Sequence, residues 1–89
     1  MQMSLVSYRI LKAARTLLEL SQDDLANAAG VSRRTVQRLE NGDQTLSVKM
    51  HDTIQRTLER RGVQFIGRTP NAGEGFTLPR ETDEATDHR

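Results

Sequence analysis

The most constraining feature of this chain of 89 residues is a segment of two short helices with almost nothing between them. It runs from Ser21 to Gly42 and reads SQDDLANAAGVSRRTVQRLENG. Ser21 is a strong N-cap, and Asp24 follows at the spacing of a capping box. Gly30 stops that helix in the way glycine stops many. Ser32 caps a second helix, which ends at Gly42. Only Gly30, Val31 and Ser32 separate the two helices. Helices joined so tightly must cross steeply, which is the geometry of a helix-turn-helix.

Elsewhere the periodicity predicts further helices. Between Leu5 and Leu20, the residues Val6, Ile10, Ala14, Leu17 and Leu18 recur at spacings of three and four, with Arg9, Lys12, Arg15 and Glu19 between them. One amphipathic helix over 4–19 is expected. Helices over 22–29 and 33–41 follow, with Leu25, Ala26, Ala29, Val31, Val36 and Leu39 on their buried sides. A fourth helix is expected from Ser47 to Arg61, with Val48, Met50 or His51, Ile54 and Leu58 facing inward and Gly62 as its stop. Val63–Ile66 and Gly75–Leu78 are β-prone and flank a turn-rich linker, so a small antiparallel hairpin is predicted, with Phe65 and Phe76 on a buried side. A lone hairpin is marginal in water, so it must pack on the helices or on another chain. Residues 80–89 are polar and mixed in charge, which predicts a disordered tail. The expected organisation is a mainly α, compact helical domain over 1–62, a hairpin over 63–79 and a tail.

Composition narrows the function classes. Cysteine is absent, which excludes disulfides and thiolate zinc sites and fits a cytoplasmic setting. No stretch reaches the roughly 18 apolar residues of a membrane span, and no signal-peptide pattern opens the chain. Net charge is +1, but its distribution is uneven. Residues 1–62 hold 10 Lys/Arg against 7 Asp/Glu, and residues 63–89 hold 3 against 5. The basic excess lies with the helices, as a local positive face on DNA requires.

The second helix of the tight pair carries that face. Arg33 and Arg34 occupy its first turn, where a helix in the major groove comes nearest the base edges. Arg pairs two ways with guanine. Gln37 and Arg38 lie one turn on, and Thr35 is short enough for a methyl or hydroxyl contact. Gln22 and the open N–H groups beside it suit a phosphate. The competing reading is an ordinary solvated helix face. Two features count against it: the charges directly follow the turn, and the helix has no acid before Glu40. Arg15 and Glu40 occupy helix sides that otherwise point inward, and a structural pair between them is expected. Asn41 offers its amide either to a phosphate or to a local cap. His51 and His88 have no neighbouring ligand set, so no metal is expected. No nucleophile–base arrangement and no phosphate-cradling glycine loop occurs, so neither an enzyme nor a cofactor site is expected.

Residues 20–26 and 29–42 (LSQDDLA and AGVSRRTVQRLENG) resemble the phage-repressor/Cro-like, or XRE, helix-turn-helix family, with the likeness spanning about 9–62. Gly62-Val63-Gln64-Phe65-Ile66 is similar to the strand that follows the last helix in small prokaryotic or phage regulators. The resemblance implies five helices, and so a break in the fourth or an added turn near 43–47. It also implies a homodimer on operator DNA. It places phosphate contacts at Gln22 and Asn41, base-reading positions at Arg33, Arg34, Thr35 and Arg38, with Gln37 beside them, and a structural ion pair at Arg15 and Glu40. His51 departs from the apolar residue usual at its position. No ligand-binding or self-cleaving domain follows within these residues, so effector control through one is not expected.

The expected function is that of a sequence-specific double-stranded DNA-binding regulator, a repressor acting as a homodimer through 63–78. An alternative is an antitoxin that controls its own promoter and holds a toxin with 63–89. A further alternative is a module that binds an acidic protein.

Overall fold

The computed structural model describes residues 5–80. Four helices and one hairpin are present among them: α1 (Tyr8–Leu17), α2 (Gln22–Ala29), α3 (Arg33–Glu40), α4 (Val48–Arg60), β1 (Gln64–Ile66) and β2 (Gly75–Thr77). Each helix opens on a serine whose hydroxyl accepts a backbone N–H within the first turn. At α2 the box is complete. Ser21 Oγ accepts the Asp24 N–H, and the Asp24 carboxylate accepts the Ser21 N–H, both at 2.9 Å.

Helix α1 is shorter than the expected 4–19. Ser7 is its N-cap, and the residue before it is bonded elsewhere. The Val6 N–H donates to Gln55 Oε1 at 2.9 Å, and the Val6 carbonyl meets His51 Nε2 at 2.7 Å. Both backbone groups of Val6 thus belong to α4 and cannot extend α1. Its inner stripe also differs from expectation. Leu11 is buried beside Ala14, whereas Leu17 is 59% exposed. Similarly, Val48 is 71% exposed, because it sits in the first turn of α4, ahead of the stripe formed by Ile54 and Leu58. The fifth helix is absent among the described residues. Residues 41–47 form turns, closed by hydrogen bonds from the Asp43 N–H to the Arg38 carbonyl and from the Leu46 N–H to the Asp43 carbonyl. The expected tail lies, beyond Arg80, outside the described residues.

The core is aliphatic. Leu11, Ala14, Leu25, Ala26, Val36, Leu39, Ile54 and Leu58 meet where the four helices converge. The strands pair antiparallel with Phe65 opposite Phe76, their ring centroids 6.3 Å apart. Both rings are half-buried against the helical core, so the hairpin packs within its own chain. Glu74 ties it to α1 by accepting the Ser7 N–H at 3.1 Å.

A close approach fixes the glycine at position 42. Gly42 has φ +79°, and a Cβ there would lie 2.9 Å from the Tyr8 ring. Tyr8 thereby packs the start of α1 against the turn after α3. Gly42→Ala should destabilise the protein by about 1–3 kcal/mol, from left-handed strain plus displacement of the ring. Gly73, with open space around it, is the control: Gly73→Ala should stay within about 0.5 kcal/mol. Urea unfolding of the two variants checks this, and equal losses would refute the account.

Candidate nucleic-acid interface

The turn between α2 and α3 is held by the Val31 N–H, which donates to the Ala26 carbonyl at 3.0 Å. It presents α3 with two unlike sides. Val36, Leu39 and Glu40 are buried. On the other side Arg33 and Arg34 are exposed in the first turn. Arg34 has no ion pair or side-chain hydrogen bond among the described residues. Arg33 Nε lies 3.8 Å from Asp23 Oδ1, with the two side chains 59% and 63% exposed. A pair that long and that wet contributes little and is easily exchanged for another anion. The Thr35 hydroxyl lies 3.0 Å from Ser32 Oγ, at the cap. Gln37 is half-buried.

Arg38 is held differently. Its Nε donates to Asp43 Oδ2 at 2.8 Å and its Nη2 to Thr45 Oγ1 at 3.0 Å. The expectation that no local acid neutralises this face is therefore corrected. Asp23 comes from α2 and Asp43 from the turn after α3, neither of them visible in the helix's own charge pattern. Sequence reasoning missed Asp43 and Thr45 altogether. The available signal was the Asp-x-Thr spacing, which favours a turn closed on the aspartate side chain. Thr45 does close it, donating both its N–H and its hydroxyl to Asp43 Oδ1 at 2.9 and 2.6 Å.

Arg15 and Glu40 form the buried polar centre beneath α3. Arg15 Nε donates to Glu40 Oε2 at 2.6 Å and Nη2 to Oε1 at 3.0 Å, while Nη1 donates to the Leu20 carbonyl at 2.7 Å. The Glu40 side chain is 2% exposed and that of Arg15 13%. Gln22 joins them, its amide donating to Glu40 Oε1 at 3.0 Å. That leaves one amide hydrogen of Gln22, with the first-turn N–H groups of Gln22 and Asp23, as open donors at the start of α2. Asn41 is exposed and caps α3, its N–H bonded to the Gln37 carbonyl.

A family model described as helix-turn-helix matches residues 11–60, from within α1 to the end of α4. The chain belongs to the XRE, or Cro-like, helix-turn-helix family. It is a DNA-binding transcriptional regulator. The hairpin lies outside the matched residues. Comparison with curated proteins gives no match. Among the described residues no helix of this regulator is long and apolar enough to cross a membrane.

Two carboxylates of the regulator titrate low. Hydrogen bonds from the Thr45 hydroxyl, from Arg38 and from the Thr45 N–H hold Asp43 well below the usual aspartate value. The Ser21 backbone N–H, then its hydroxyl, lowers Asp24. Both groups bind protons more readily in the unfolded chain. Their contribution is therefore complete above the unfolded value of 3.8 and is lost as pH falls below it. The wild-type melting temperature should fall as pH drops below 4. The variant Asp24→Asn/Asp43→Asn should show a shallower fall, and an identical acid limb in both proteins would contradict the assignment.

The buried pair yields a second expectation. Glu40→Ala strands the Arg15 guanidinium without its carboxylate and should cost about 3–5 kcal/mol. Chemical denaturation measures it, and a loss within the range of a surface substitution would mean that the pair is not buried in solution.

Proposed function

We propose that this regulator recognises a specific double-stranded DNA sequence by laying α3 in the major groove, and that it acts as a repressor. Arg33, Arg34, Thr35, Gln37 and Arg38 read base edges, and Gln22 and Asn41 contact phosphates. Arg15 and Glu40 fix α3 from beneath without touching DNA. The observation that carries the reading is the free, exposed Arg34 in the first turn of α3, directly after the helix-turn-helix bend, with Arg33 loosely held beside it. That is the part of a recognition helix that approaches bases most closely. Occupying a promoter is enough to exclude polymerase, so repression needs no contact beyond the DNA.

One such module covers roughly 600–1,000 Å² on DNA, modest for a specific site. A homodimer on a two-fold site, with residues 63–78 as the contact between copies, doubles that surface. Ile66 and Leu78 on the hairpin, 45% and 39% exposed, support a protein contact there. The same two residues favour the second reading, an antitoxin whose 63–89 segment holds a toxin while 1–62 binds its own promoter. Sedimentation of the isolated chain tests the first reading, which requires self-association without another protein, and a monomer would count against it.

Selection from random duplexes should return one sequence, with paired half-sites about one helical turn apart for a dimer. Log affinity should fall linearly with log salt, by about 0.9 for each phosphate neutralised. Arg34→Ala should cost about 1–3 kcal/mol at its own base pair and relax preference there. Binding that is insensitive to salt, or no enriched sequence, would overturn the proposal.

A further inference from the structure

Of the three arginines on α3, only Arg38 has its guanidinium fixed before any ligand arrives. Its Nε–H and one Nη2–H point at Asp43 Oδ2 and Thr45 Oγ1. Thr45 Oγ1 accepts from Arg38 and donates to Asp43 Oδ1, so the three side chains close a ring with each hydrogen assigned. The backbone reinforces it, because the Asp43 N–H donates to the Arg38 carbonyl at 3.0 Å. The ring uses one edge of the guanidinium and leaves the terminal edge, Nη1–H with the second Nη2–H, unpartnered among the described residues. With the Arg38 side chain 40% exposed, that edge reaches solvent. It carries two parallel donors, which match the O6 and N7 acceptors of guanine in the major groove.

We propose that Asp43 and Thr45 are the positioning residues that make Arg38 a guanine reader. The inference rests on α3 being the groove-facing helix. Held on one edge, the arginine loses less rotamer freedom when it docks. It also cannot swing to a neighbouring phosphate, the usual alternative for a free arginine. Asp43 adds a second effect. Its carboxylate stands at the rim of a surface meant for a polyanion, so it weakens contact with every sequence and is offset only where Arg38 finds its base. Discrimination rises because non-specific binding is penalised.

Selection from random duplexes, run in parallel on the wild type and on Arg38→Ala, Asp43→Ala, Thr45→Val and Thr45→Ser, tests this. Arg38→Ala identifies the base pair that Arg38 reads, expected to be G·C. Asp43→Ala should erase preference at that same pair, by about tenfold, and leave the other positions as they were. Thr45→Val should weaken preference at that pair in the same direction, and Thr45→Ser, which keeps the hydroxyl, should retain it. Adding Asp43→Ala to Arg38→Ala should change that position no further, and thermal melts establish that each variant is folded. The proposal is overturned if folded Asp43→Ala keeps the wild-type preference at that pair and only its general affinity moves. It is also overturned, with the DNA-reading role of α3 intact, if Arg38→Ala leaves the selected sequence unchanged. A wild type that enriches no sequence removes the underlying reading as well.

Discussion

The position of α3 depends on one buried carboxylate. Glu40 is the last residue of α3, and its two oxygens take three directed hydrogen bonds, two from Arg15 of α1 and one from Gln22 of α2. A buried charge is tolerable only when paired and bonded in this way. The arrangement therefore admits little slack. Moving α3 by even part of a turn would strand Glu40, Arg15 or both. An apolar cluster of the same volume could stabilise comparably, but its contacts can repack with other side-chain rotamers in a way that directed hydrogen bonds cannot. The directional pair sets the axial register of α3, and with it how far Arg33 and Arg34 project. The same three bonds draw the start of α2 toward α3, so the open donors around Gln22 are placed relative to the basic face.

The second constraint is the treatment of Val6. Its N–H and carbonyl are both held by α4, through Gln55 and His51 one helical turn apart. His51 stands where the family likeness led to the expectation of an apolar residue. Here it is a half-buried hydrogen-bonding group that stops α1 from starting earlier. The neighbouring Ser7 then has both its backbone N–H and its hydroxyl available, the first for Glu74 of the hairpin and the second for the cap. Helix start, hairpin docking and the α4 face are thus settled at one place.

What could be read from the sequence divides along the range of the interactions. The caps at Ser21, Ser32 and Ser47, the stop at Gly30 and the boundaries of α2, α3 and α4 depend on contacts within a single turn, and the local residues specify them, whereas the cap at Ser7 was not read. The hairpin, with Phe65 and Phe76 on its packed side, was legible too, because two short β-prone runs flank one turn-rich linker. In α1, Leu11 was left out of the inner stripe and Leu17 put into it, for a different reason. Apolar residues are so dense in α1 that two stripes fit the period, and only the partners of Val6 on α4 choose between them. At the interface, the positions of Arg33 and Arg34 followed from their place after the turn. The acids facing Arg33 and Arg38 did not, because Asp23 lies on another helix and Asp43 meets Arg38 at a spacing of five, outside the helical i,i+3 and i,i+4 rule.

These acids bear on how a chain of net charge +1 can be built for DNA. Long-range attraction to the duplex is weak when the total charge is so near zero, and it is screened beyond about 8 Å at physiological salt. Affinity must then come from close contacts at one face. On that face the three arginines form a graded series: Arg34 is free, Arg33 is loosely shared with Asp23, and Arg38 is locked by Asp43 and Thr45. A free arginine can donate to phosphate or to base, and gives up more rotamer freedom when it does so. A locked one offers a single edge in a single direction. Acidic residues placed beside a DNA-facing helix lower its affinity for any duplex, yet they raise the difference between a matched site and a random one. For a regulator that must leave the wrong sites as readily as it holds the right one, that difference matters more than the affinity itself.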